Sequence, residues 1–299
     1  MNEIEEGIRA AYRWILGREA DEGGLRDYTH AVRSGQITLD GLREVFLGCP
    51  EFWQHRSARG VEERKAINQR VIDATGLVVQ SGPFKGMKMV DLSTRGDGDI
   101  APKLLGTYEA ELHPALIAFA QHRYDAIVDV GCAEGYYSVG AALLFPGTPV
   151  LAYDIDKGAL EILAALARAN SCQDQMIAGD FCDPATLREV AGRYPRSLVI
   201  ADCEGYEKEL FADPETNTAL AGSDLIIECH DLWDAEITPS IRAALADTHD
   251  ISIAMACGRN PNIFEFLADL SDWDRWRAVW ERRGSRMHWL ICEGKEGRG

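Results

Sequence analysis

The residues best suited to chemistry stand at the ends of five short apolar runs: Asp129-Val130-Gly131-Cys132-Ala133-Glu134-Gly135-Tyr136, then Asp154, Asp180-Phe181, Asp202 and Glu228-Cys229-His230. In the first, an apolar run enters a small-residue turn and then a helix. Gly131 and Gly135 permit a sharp turn and a close backbone approach to a ligand. The helix start that follows offers free N–H groups suited to a carboxylate. A dinucleotide fingerprint wants glycine at the first, third and sixth positions. Those positions hold Gly131, Ala133 and Tyr136, so a nicotinamide or flavin dinucleotide is disfavoured. Asp154 follows Gly135 by 19 positions, close to the spacing of an acid that accepts from a ribose diol. Asp156 is instead read as a helix cap.

These groups need a scaffold that brings strand ends together. Strands are expected at 126–130, 150–153, 175–178, 198–201, 225–228, 251–255 and 287–292. The first five are short, apolar on both faces and mostly separated by helical segments, the pattern of a parallel sheet buried under helices. The last two are expected to close the sheet as an antiparallel pair. Before them, Ile4, Ile8, Tyr12 and Ile15 share one helical face over 3–16, a second helix spans 22–33, and a third, capped by Asp40, carries Leu42, Val45 and Phe46. The expected domains are therefore a helical unit over 1–56, a connecting helix over 57–75 and an α/β domain over 76–299.

The 48 acidic against 31 basic residues give a formal charge of −17, which repels phosphate backbones and makes nucleic acid a poor partner. Eight scattered cysteines with no CxxC pair suggest a reducing compartment and no structural zinc. The acidic N-terminus lacks the apolar core of a signal peptide, and no apolar run reaches a membrane span. A cytoplasmic enzyme acting on a small molecule is expected; a homo-oligomer is compatible with it.

The spacing Asp129-x-Gly131-x-x-x-Gly135 resembles the first motif of class I methyltransferases, whose loop cradles the methionine part of S-adenosylmethionine. Asp202-x-Glu204-Gly205-x-Glu207, followed by Ile226-Ile227-Glu228-Cys229-His230, resembles the FkbM-type methyltransferases over roughly 126–231. Cys203 departs from the more usual valine. Residues 8–53 resemble a small helical family with no assigned chemistry, found beside glycosyltransferases and methyltransferases. The resemblance implies a doubly wound, Rossmann-like α/β sheet of seven strands with the last pair antiparallel, beside a small N-terminal all-α domain. It implies O-methylation of a hydroxyl on a sugar-like or natural-product acceptor. It also implies a cofactor site of Asp129, Gly131, Ala133, Glu134, Gly135, Tyr136, Asp154, Asp180 and Phe181. Asp180 would hold the adenine amino group, or else serve as an ordinary helix cap. Tyr108 and Glu109 would fold over the cofactor, or else simply begin a helix.

Methyl transfer from a sulfonium needs alignment and, for a hydroxyl acceptor, a proton acceptor. His230 is the first choice for that base and Asp202 the second. Asp202 and Glu228 also offer oxygens to Mg²⁺, but two carboxylates without an assured third ligand make a metal unexpected. Alternatively, Glu228 and Glu204 anchor loops through backbone N–H groups. The segment 258–285, with Trp273, Trp276 and Trp280 at helical spacing, either packs on the sheet or covers the acceptor, with Glu228, Arg259 and Asn260 as acceptor contacts. His249 and His288 are read as structural. Transfer of an aminocarboxypropyl group, or a silent cofactor-binding partner, are the competing functions.

Overall fold

The computed structural model describes residues 3–90, 100–283 and 285–296, side chains of 54–59 excepted. The remaining positions of the expected domains lie outside the described residues. The chain divides into two compact units, 1–67 and 68–299.

In the first unit, α1 (Glu3–Ala11) runs into a π-helical turn, Tyr12–Leu16. α2 (Glu22–Arg33) is capped by Asp21, which accepts from the Gly24 N–H at 2.8 Å. α3 (Leu39–Leu47) is capped by Thr38, not by the expected Asp40. The helix begins two residues earlier than an Asp40 cap requires, and the Thr38 hydroxyl takes the Gly41 N–H at 2.9 Å. Ile8, Tyr12, Leu16, Leu42, Phe46 and Phe52 form a core, with the Tyr12 and Phe46 rings edge-on at 4.8 Å. α4 is one continuous helix, Pro50–Thr75, and the boundary between the two units falls inside it. Pro50 opens this helix, a position where its missing N–H would go unused anyway.

The second unit is built on a seven-stranded sheet ordered β3-β2-β1-β4-β5-β7-β6. The strands are β1 (Ala126–Val130), β2 (Val150–Tyr153), β3 (Met176–Gly179), β4 (Ser197–Ala201), β5 (Asp224–Cys229), β6 (His249–Met255) and β7 (His288–Gly294). The first five are parallel; β7 is antiparallel to both β5 and β6. This is the doubly wound α/β arrangement expected. The order runs outward from β1 to β3 and reverses through β4. Right-handed crossovers therefore place α7 (Tyr136–Leu144) and α8 (Lys157–Ala169) opposite α9 (Pro184–Arg193) and α12 (Ile237–Leu245). β1, β4 and β5 are wholly buried. β3 is not: it is an edge strand with Ile177 and Ala178 exposed, so the expectation of two buried faces fails there. It also starts one residue late, because Gln175 closes a short 3₁₀ turn and bonds the Gly147 N–H and Ala142 carbonyl.

Between α4 and β1 lie α5 (Ile100–Leu105) and α6 (His113–Phe119). After β4 come α10 (Glu207–Leu210) and α11 (Pro214–Ala219), and α13 (Asp272–Ala278) lies between β6 and β7. α13 ends before Trp280, and Trp273, Trp276 and Trp280 are all exposed, so none is the core residue that helical spacing allowed. Trp14, Trp53 and Trp233 are exposed as well, while Trp289 on β7 is fully buried. Among the described residues no helix is long and apolar enough to cross a membrane.

Candidate active site

A cavity of about 520 Å³ opens at the carboxyl ends of β1 to β5. Neighbouring strands lie about 4.8 Å apart, so the row from Asp180 to Glu228 spans about 19 Å. The cavity straddles the point where strand order reverses, where open α/β sheets bind ligands.

Its floor is the turn between β1 and α7. Gly131 has φ +83°, and a Cβ there would lie 1.7 Å from the Asp202 carbonyl oxygen, so this turn and the end of β4 touch through bare backbone. Gly135, at φ +92°, leaves no room for a Cβ against Leu163 of α8. Asp129 is buried and accepts from the Ser138 hydroxyl at 2.5 Å; burial pushes its pKa up to about 7 despite that bond. Asp154 accepts from the Ala133 N–H at 2.8 Å through Oδ2 and from the Asp156 N–H at 2.7 Å through Oδ1. Each oxygen keeps a second lone pair for a ligand. Asp156 caps α8, accepting from the Gly158 N–H at 2.8 Å, as expected. Asp180 lines the cavity, and Asp183, not Asp180, caps α9 by accepting from Thr186. Phe181 stands half-exposed, 5.3 Å from the Tyr206 ring.

The far end of the cavity holds Asp202, Glu228 and His230. His230 Nδ1 is 2.8 Å from Glu207 Oε1, and its Nε2 lies 3.7 Å from Asp202, 3.8 Å from Glu228 and 3.5 Å from Glu204. Burial lowers the His230 pKa, but the Glu207 hydrogen bond and charge, with Glu228 and Glu204, bring it above the ordinary histidine value. Glu207 is fully buried; burial raises its pKa, yet His230 and the Gly205 N–H hold it below the usual range. The same carboxylate accepts from the Cys203 and Gly205 N–H groups at 3.1–3.2 Å, fixing a turn in which Glu204 has φ +54°. Glu207 is therefore an anchor of this loop, a role expected of Glu204 and Glu228. Burial and the Glu228 charge push Asp202 well above its ordinary pKa.

Asp202, Glu228 and His230 bring one ligand atom each within 4.8 Å of one another. His230 thus supplies the third donor that two carboxylates lacked, a mixed oxygen–imidazole set that suits a first-row ion such as Mn²⁺ or Fe²⁺ better than Mg²⁺. One Glu228 oxygen is already paired with Arg283, which also binds Glu109 and Glu281.

Several of these partners escape a reading of the sequence. Arg283 is one of two adjacent arginines in a loop with nothing to single it out, and its tie to Glu109 joins residues 174 positions apart. Lys103 is more visible: it is a single charge in the apolar run Ile100–Leu105. It is buried, paired with Glu134, and 4.8 Å from the Tyr108 ring centre and 5.5 Å from that of Tyr136. Tyr108, Glu109 and Tyr136 line the cavity with it. Glu109 accepts from the Tyr137 hydroxyl; burial and Glu228 raise its pKa, while Arg283 pulls it down.

Arg259 and Asn260 are not among the cavity-lining residues. Arg259 is largely buried and pairs with Glu111 and Glu281, each at 2.7 Å. The Asn260 side chain accepts from the Asn262 N–H at 3.0 Å. From segment 258–285 the cavity takes Glu281, Arg283 and Ser285, and none of Trp273, Trp276 and Trp280. His249 bonds Ser223, and His288 faces Thr238, both structural as expected.

No protein-family model matches the chain, and no curated protein matches it. Solved structures give partial likenesses. The geranyl diphosphate C-methyltransferase of Streptomyces coelicolor A3(2), bound to Mg²⁺, geranyl diphosphate and S-adenosyl-L-homocysteine, is 16% identical over 78% of this chain and 97% of its own, with a TM-score of 0.41. The precorrin-6y C5,15-methyltransferase of Geobacter metallireducens GS-15 is 10% identical over 60% and 84%, with a TM-score of 0.41. The O-methyltransferase TomG of Streptomyces achromogenes, in complex with SAM, is 10% identical over 64% and 82%, with a TM-score of 0.40.

Proposed function

We propose that this chain is a cytoplasmic, FkbM-type methyltransferase that moves the methyl group of S-adenosylmethionine to a hydroxyl of a small sugar-like or natural-product acceptor. The observation that carries this reading is that the glycine turn, Asp154 and His230, whose ring is held from behind by buried Glu207, open into one cavity. In this reading Asp154 accepts from the ribose hydroxyls, Asp180 and Phe181 hold the adenine, and the turn from Gly131 to Gly135 carries the methionine part. Asp129 lines the same cavity at the end of β1 and accepts from Ser138 of α7, which ties the two flanks of that turn together.

The donor is already activated, so the protein supplies alignment and a place for the acceptor's proton. Glu207 orients the His230 ring through Nδ1, which leaves Nε2 toward the cavity to take a proton from the attacking hydroxyl. Arg283 supplies a counter-charge to Glu228, which supports a metal-free base mechanism over a metal site. Tyr206, Leu232 and Trp233 form an apolar cavity wall beside this polar end. Such a pairing of ring faces and few polar groups suits a sugar or polyketide.

The test is titration calorimetry with S-adenosylhomocysteine and with NAD, then mass spectrometry of a metabolite pool incubated with labelled donor. Binding of the homocysteine nucleoside and gain of one methyl on oxygen support the reading. Tight NAD binding alone, or transfer of a larger fragment, overturns it.

A further inference from the structure

Ten carboxylates line the cavity against two strong bases, Lys103 and Arg283, and one histidine, His230. Both strong bases are committed: Lys103 pairs with Glu134, and Arg283 with Glu109, Glu228 and Glu281. His230 holds Glu207 through Nδ1, and its Nε2 faces Asp202, Glu204 and Glu228. The backbone offers no substitute, because the Cys203 and Gly205 N–H groups of the turn after β4 already donate to Glu207. Phosphates are held by arginine forks, lysines or open N–H groups. Among the described residues, the His230 end presents none of these unclaimed. A phosphate there meets like charge in a space partly closed to water, where repulsion is weakly screened.

The mouth beside this acidic end is apolar. Trp233 follows His230 on one turn, its N–H donating to the His230 carbonyl at 2.9 Å. Its indole lies over Gly205, where a Cβ would stand 3.6 Å from Cδ1. Leu232 and Trp233 are 66% and 68% exposed, yet both line the cavity. Large apolar side chains exposed together at a cavity mouth mark a binding surface.

We propose that the acceptor is an uncharged glycoside whose apolar aglycone lies on Leu232 and Trp233, and that sugars still linked to a phosphate or a nucleotide are refused. This rests on the methyltransferase reading above and adds to it an order of events. The reaction that supplies the acceptor is a glycosyl transfer: the aglycone oxygen bonds the anomeric carbon, the nucleotide phosphate leaves, and the hydroxyl proton is released. Methylation then acts on the finished glycoside, with the aglycone held at the mouth and a sugar hydroxyl at His230 Nε2.

Calorimetry on the full chain, first loaded with S-adenosylhomocysteine, tests this with four probes: octyl β-glucoside below its micelle concentration, methyl β-glucoside, octyl β-glucuronide and UDP-glucose. Octyl glucoside is expected to bind at least about tenfold tighter than methyl glucoside, since each methylene laid on the patch adds up to about fourfold. Octyl glucuronide, which differs in one carboxylate, should bind at least about tenfold more weakly than octyl glucoside, and UDP-glucose should not bind. In Trp233→Ala and Leu232→Ser the preference for the octyl chain should fall several-fold, with S-adenosylhomocysteine affinity intact. Equal affinity for the two glucosides, or a glucuronide or UDP-glucose that binds as well as octyl glucoside, overturns the proposal on the wild type alone. An octyl preference that survives both substitutions removes the aglycone from this mouth and overturns it as well. Failure of the protein to load with S-adenosylhomocysteine overturns the methyltransferase reading instead.

Discussion

The imidazole of His230 and the carboxylate of Glu207 meet at 2.8 Å, with Glu207 fully buried and also accepting backbone N–H groups from Cys203 and Gly205. The acid that orients the ring is therefore the acid that shapes the β4 turn. A base with a raised pKa is inactive while protonated, so turnover should rise with pH through a midpoint above 6.5, the ordinary histidine value. Glu207→Gln removes the main charge that raises it, so the rising limb of kcat/KM should move to lower pH. His230→Ala should cut kcat by about 10²–10⁴-fold and leave S-adenosylhomocysteine affinity nearly unchanged. A pH profile that is the same in wild type and Glu207→Gln would remove His230 from the role of base.

Asp154→Ala should weaken S-adenosylhomocysteine binding by about 1–3 kcal/mol, the loss expected when polar partners go unpaired. Part of that loss comes from freeing the Ala133 and Asp156 N–H groups. Asp154→Asn, which keeps one carbonyl oxygen, should lose less. Calorimetry that finds the two variants equal to wild type would take the ribose away from β2.

Legibility followed chain distance. β1 and β2 lie at the expected residues because an apolar run closed by a glycine turn or an acid is a local signal. Glu207 also had one, as the last acid of Asp202-x-Glu204-Gly205-x-Glu207. Lys103 with Glu134 and Arg283 with Glu109 had none that joined them, since ion pairs between remote segments leave no periodicity. The spacing of Trp273 and Trp276 identified a shared helical face but not whether that face meets the core or water.

Arg259 gives a result opposite to that of a pocket residue. It is locked between Glu111 and Glu281, so Arg259→Ala strands the buried Glu111 carboxylate, while Glu281 keeps Arg283, and should cost about 3 kcal/mol of stability. Thermal or denaturant unfolding checks this. An unchanged Tm with lowered turnover would return Arg259 to the acceptor site.

A chain starting near residue 57 should remain folded and keep cofactor affinity. The core of the first unit lies within residues 4–52, and the large core cluster of the second begins at Ala126. Circular dichroism and S-adenosylhomocysteine titration are the checks; a folded fragment with no affinity would move the domain boundary.

Turnover should be the same with and without EDTA. If chelation abolishes it and Mn²⁺ restores it, His230 is a ligand of the Asp202–Glu228 site, and the proton acceptor must be sought elsewhere.

The distribution of the seven indoles governs what light can report about this molecule. With six of them exposed and only Trp289 fully enclosed, emission from the native state should already lie toward the red, and unfolding should shift it little. Trp233 is the one indole in the cavity wall. Quenching on addition of a candidate acceptor, lost in Trp233→Phe, would therefore be a site-specific optical signal against a background of five solvent-facing emitters and one buried one.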